Sequence, residues 1–96
     1  MTEEELIAEC KAGLDISEGS TAFDKIIKQK LRAVIGFMKS AGVSDAKMNT
    51  DLAVGVMVMG VADLWNNASG EIKFSPAFHT LLTQLAVSSL PAEGTT

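Results

Sequence analysis

From Leu52 to Ala62 the chain runs through eleven consecutive residues without one polar side chain, closed by Asp51 and Asp63. This run constrains the fold more than any other feature. It is far too short for a spanning helix, which needs roughly 20 apolar residues, so no membrane segment is expected. It is too long for an ordinary buried strand, and its Ala, Leu and Met content favours a helix. A helix without a polar face must be enclosed on nearly all sides. Few short helices are at hand to enclose it, so part of Val54, Val56, Met57, Val58, Met59 and Val61 is expected to face another chain. The alternative is a central helix buried within one subunit.

The text on either side of this run also reads as helices. Thr2 before Glu3, Glu4 and Glu5 offers a capping hydroxyl, a reciprocal Glu and acids against the positive helix end. Leu6, Ile7, Cys10 and Leu14 follow at helical spacing, with Gly13 as terminator or weak point. Asp15 to Ser20 reads as a connector whose Ile16 tucks back onto the core. Ser20 or Thr21 is expected to cap a second helix in which Phe23, Ile27, Leu31, Val34 and Met38 recur by three or four. Ile26, Ile35 and Phe37 widen that stripe, and Gly42 marks its end. At roughly 100° per residue, Lys25, Lys28, Arg32 and Lys39 share an arc away from it. This basic ridge reads either as a solvated face or as a surface for acidic groups of a neighbouring subunit.

Ser44 or Asn49 is expected to cap the apolar helix, which runs to about Trp65. Asn66, Asn67, Ser69 and Gly70 break the pattern, and Glu71 to Phe74 read as extended. Ser75 then caps a last helix with Pro76 in its first turn and Phe78, Leu81, Leu82, Leu85 and Ala86 as its stripe. Pro91 stops it. The expected fold is therefore an all-α bundle of four helices, about 3–14, 21–41, 49–66 and 75–90, with an extended segment before the last. Residues 1–90 form one domain, and 91–96 a mobile tail.

Chemistry has little support. His79 is the sole histidine and Cys10 the sole thiol, too few for a zinc site, so no metal and no cofactor are expected. His79 reads as a surface or interface imidazole. No Ser lies in a Gly-x-Ser-x-Gly elbow, and no catalytic residue is assigned. Gly55 and Gly60, inside an apolar helix, read as packing glycines. An acyl carrier would need an Asp-Ser-Leu tripeptide, which is absent. Twelve acidic against eight basic side chains, net −4, disfavour a free nucleic-acid binder, and the last helix has no Lys or Arg for reading DNA. A lone cysteine and no leader-like start read as a protein kept in a reducing cytosol.

The order of these features resembles the small head-tail connector proteins of tailed bacteriophages and prophages. The likeness rests on Thr2-Glu3-Glu4-Glu5-Leu6-Ile7, on the link Asp15-Ile16-Ser17-Glu18, and on Ala62-Asp63-Leu64-Trp65-Asn66-Asn67. It ends on Phe74-Ser75-Pro76-Ala77-Phe78-His79-Thr80-Leu81-Leu82-Thr83-Gln84-Leu85, and covers about 85 residues. The chain departs from the family at Leu85-Ala86-Val87, where relatives often carry a basic residue, and at Trp65, where Tyr is frequent. The resemblance implies an all-helical virion protein at the head-tail interface, made in the host bacterial cytoplasm. It implies a ring of identical subunits, commonly twelvefold, between the portal protein and a tail-side completion or stopper protein. DNA passes through such a ring without sequence-specific binding, and no enzyme activity is involved. On this reading the first three helices form the bundle and the last reaches a neighbour or the portal. Met57, Met59, Ile72, Phe74 and Leu90 are expected to be covered by another chain. The rival reading is a small helical homodimer that regulates by protein contact.

Overall fold

The computed structural model describes residues 2–67 and 73–90. Five helices follow in chain order: α1 Glu3–Gly13, α2 Asp24–Ser40, α3 Asp45–Met48, α4 Asp51–Asn66 and α5 Pro76–Ser88. No strand occurs among the described residues. The fold is the expected small all-α bundle, with a one-turn helix added between the second and third long ones.

Local chemistry accounts for most of the ends. Thr2 Oγ1 accepts the Glu5 N–H at 3.2 Å while Glu5 Oε1 accepts the Thr2 N–H at 2.8 Å, completing the capping box. The end of α1 turns on Asp15, not on Gly13. Asp15 has φ 60°, and the Ile16 and Asp15 N–H groups donate back to the carbonyls of Lys11 and Ala12, a Schellman closure that aims Ile16 at the core. Gly42 (φ 105°) closes α2 in the same way, with the Val43 N–H on the Met38 carbonyl. There the left-handed backbone does call for glycine.

Two starts differ from expectation. Neither Ser20 nor Thr21 caps α2, which begins at Asp24 behind Phe23 with no side-chain cap; a turn in which the Asp24 N–H reaches the Thr21 carbonyl delays it. Ser44 does cap, but what it caps is α3. Thr50, not Asn49, caps α4: its hydroxyl donates to the Lys47 carbonyl at 2.7 Å and accepts the Ala53 N–H at 3.2 Å. Ser75 caps α5 with Pro76 as the first helical residue.

The core is built around α4, whose Ala53, Val56, Met57, Gly60, Val61 and Leu64 are buried. α2 presents Ile27, Leu31, Val34 and Met38 to it, and α5 adds Phe78, Leu82 and Leu85. The last helix is thus part of the bundle, which corrects the expectation that it reaches out to a neighbour: its largest side chain, Phe78, is fully enclosed by its own chain. Two glycines let α4 come close. A Cβ at Gly60 would lie 2.7 Å from Phe78 and 2.9 Å from Val34, and one at Gly13 would lie 2.5 Å from Val58.

Lys11 is the one buried charged residue among those described. Its Nζ lies 2.6 Å from Asp24 Oδ1 and donates to the Glu18 carbonyl at 3.4 Å, fastening the connector between α1 and α2. Asp24 is half-covered as a side chain, but the Oδ1 that faces Lys11 is itself buried, so losing the ammonium strands it. Lys11→Met, which keeps the buried stem, is expected to cost about 2–3 kcal/mol. Lys11→Ala, which removes stem and charge together, should cost about 1 kcal/mol more. Urea denaturation of the two variants checks the ordering, and equal losses would refute it.

Candidate interaction surface

The groups with potential chemistry do not converge. Cys10 is buried, and burial pushes its thiol up to about 11, with Glu9 adding to the shift, so it behaves as a small apolar core group. His79 is exposed and set edge-on to the aromatic cluster of Phe37, Phe74 and Phe78, with ring centroids 5.8–6.3 Å apart. Among the described residues no group of three or more His, Cys, Asp or Glu side chains is placed to hold a metal ion, and no helix is long and apolar enough to cross a membrane.

The basic ridge is largely engaged within the chain. Glu3 receives Arg32 Nε at 3.2 Å on one carboxylate oxygen and Lys28 Nζ at 3.4 Å on the other. Lys39 Nζ lies 3.7 Å from Asp45. Lys25 has no ion-pair partner among the described residues. The hydrogen bond from Arg32, with the charges of Arg32 and Lys28, holds the Glu3 carboxyl below its ordinary range; the Thr2 N–H does the same for Glu5. A depressed carboxylate stabilises the folded state in full above its ordinary pKa and loses that contribution as pH falls through the lowered value. The first turn of α1 is therefore expected to loosen below about pH 4. Protection of the amides of residues 5–7, taken relative to their intrinsic exchange rate, should fall there, and Glu3→Gln should shrink the change; an unaltered profile in that variant would count against the ion pairs as its source.

The residues expected at an interface scatter. Met57 is buried beneath α4, and Phe74 is stacked on Phe78 with centroids 4.1 Å apart, so the chain covers both itself. This corrects their assignment as apolar residues the bundle leaves open. Met59 is half-buried, Leu90 is 68 % exposed, and Ile72 lies outside the described residues, as do Glu71 and the expected tail from Ala92 to Thr96.

Apart from Leu90 and from Val87, exposed on α5 beside Leu52, the open apolar side chains lie on two stripes. The first follows α4 on the side away from α2: Leu52, 44 % exposed, then Gly55, Met59 and Ala62, flanked by Val58. Beside it, between α1 and α4, runs a groove lined by Glu9, Ala12, Asp51, Val54, Gly55 and Val58. The α4 run is thus neither fully enclosed by its own chain nor free on one whole side. The second stripe runs along α2 through Phe23, Ile26, Lys30, Ala33 and Phe37. Ile26 is 45 % exposed, Trp65 meets Phe23 edge-on at 5.6 Å, and Phe74 flanks Phe37 at 5.0 Å. Periodicity signalled the apolar character of both but not their exposure. No family model, curated protein or solved structure matches the chain.

Proposed function

We propose that this protein is a structural adaptor, a head-tail connector subunit that works by assembling with copies of itself between a portal and a tail-side protein, through whose ring DNA passes. The observation that carries the reading is the apolar stripe of α4, Leu52 with Gly55, Val58, Met59 and Ala62, which the other helices leave partly open. An apolar run of this length exposed along a helix is a place for another chain to pack. The resemblance in helix order and in the Phe74–Leu85 segment supplies the kind of assembly. The chain's acidic balance suits a conduit that must not grip DNA.

Electron microscopy of the purified protein, alone and mixed with the portal and tail-side proteins encoded beside it, tests this directly. Annular particles stacked on the portal are expected. A defined dimer that forms nothing larger with the portal present would replace the adaptor reading by that of a dimeric regulator.

A further inference from the structure

The two open stripes share a geometry. On α2, Phe23, Ile26, Lys30, Ala33 and Phe37 are separated by three, four, three and four residues; on α4, Leu52, Gly55, Met59 and Ala62 are separated by three, four and three. This alternation is the spacing of a helix seam that packs against another helix. The α2 stripe spans about 21 Å and the α4 stripe about 15 Å at 1.5 Å per residue. Within one copy the two cannot meet, because α4 already packs on α2 through its other side, with Gly60 over Val34.

The stripes are complementary in shape and in charge. Three of the five α2 positions are large, Phe23, Ile26 and Phe37, whereas α4 offers Gly55 and Ala62 between Leu52 and Met59. Lys30 stands in the middle of the α2 stripe, half-exposed and with no ion-pair partner among the described residues. Glu9 and Asp51 rim the α4 stripe, exposed and equally without one. A Cβ at Gly55 would meet nothing within 4 Å, as at Gly36 on α2, so its own chain leaves this position open.

We propose that the α2 stripe of one copy packs on the α4 stripe of the next, with Lys30 reaching Glu9 and Asp51 across the junction. The inference rests on the self-assembling adaptor reading and names the two faces that meet. On this proposal the contact is head-to-tail: each junction leaves one copy's α2 stripe and the other's α4 stripe free, so it propagates to a ring or a filament. One helix pair makes a small junction, so association is concentration-dependent and ring closure strengthens it.

The test uses the full chain, with sedimentation velocity over a wide concentration range and circular dichroism as the check on folding. Gly55→Gln and Gly36→Gln form a matched pair, since a side chain at Gly36 also meets nothing within 4 Å. Both should fold at least as stably as wild type, but only Gly55→Gln should weaken association, by tenfold or more. Lys30→Glu and the double variant Glu9→Lys/Asp51→Lys should each weaken it similarly. Mixed together, these last two complement each other at both faces and should restore larger species built in alternation, as should all three substitutions in one chain. Wild-type assembly that ignores these changes would overturn the assignment of faces and leave the adaptor reading standing. A wild type that stops at a symmetric dimer, even beside its portal, would overturn both. A wild type still monomeric at millimolar concentration would overturn the inference.

Discussion

Phe78→Ala is expected to remove about 3–5 kcal/mol of stability, the range for emptying a buried aromatic site. A domain of this size has about 5–15 kcal/mol in total, so this one truncation should leave the protein close to its unfolding midpoint in mild denaturant. The effect should sit at the upper end for a structural reason. Phe78 is enclosed on every side: its ring stacks on Phe74 with 15° between planes, Phe37 tilts over it at 6.1 Å, and its edge fills the hollow left by Gly60. Those neighbours come from three separate stretches of chain and cannot all move inward. Phe74 also owes its cover to this stack, so the truncation should expose it. Urea denaturation followed by circular dichroism gives the magnitude. A loss under 1 kcal/mol would mean that the aromatic cluster is not a fixed part of the core.

How much of this was legible beforehand depends on whether a feature is local. The Thr2–Glu5 capping box, the Ser75–Pro76 start and the Gly42 stop lie within a few residues of their partners, and side-chain type alone predicts them. The buried stripe of α2 was equally readable, since polar residues separate it from the rest of the helix. The start of α2 was not: Ser20 and Thr21 are good capping residues, but the connector fastened by Lys11 places the first helical turn beyond them. The orientation of α4 was not readable either. A helix apolar all round has no face that sequence can single out, and what turns Met57 inward and Met59 partly outward is the close approach permitted at Gly60 and Gly13. Glycine in the text signals only that something comes near. Which glycines are crowded and which, like Gly55, stand open needs coordinates. For the same reason Phe23, Ile26 and Phe37 read as core from their spacing, although Trp65 covers Phe23, and Phe74 and Phe78 cover Phe37, on one side only.

Gly60→Val should show the opposite failure, too much volume where Phe78→Ala leaves too little. A Cβ at this position falls 2.7 Å from Phe78 Cε1 and 2.9 and 3.1 Å from the two methyls of Val34. Both neighbours are fully buried, so neither can swing into solvent. Overpacking of this kind typically costs about 1–3 kcal/mol; the branched valine should reach about 2–3 kcal/mol despite the better helix propensity it brings. If the conflict is with the ring edge, shortening the ring should relieve it. Gly60→Ala puts a methyl where Phe78→Leu withdraws Cε1, so the double variant should lose about 1 kcal/mol less than the sum of the two single losses, a coupling expected only between residues in contact. Additive losses would place the strain of Gly60→Ala elsewhere, on Val34, and Gly60→Ala/Val34→Ala should then show the coupling instead. In either case the crowding is set by the α2–α4 approach. Gly55→Ala, one and a half turns away on the open side of the same helix, should raise stability by about 1 kcal/mol in the monomer. Opposite signs for the same substitution at two glycines of one helix would trace, by calorimetry alone, which side of α4 its own chain covers.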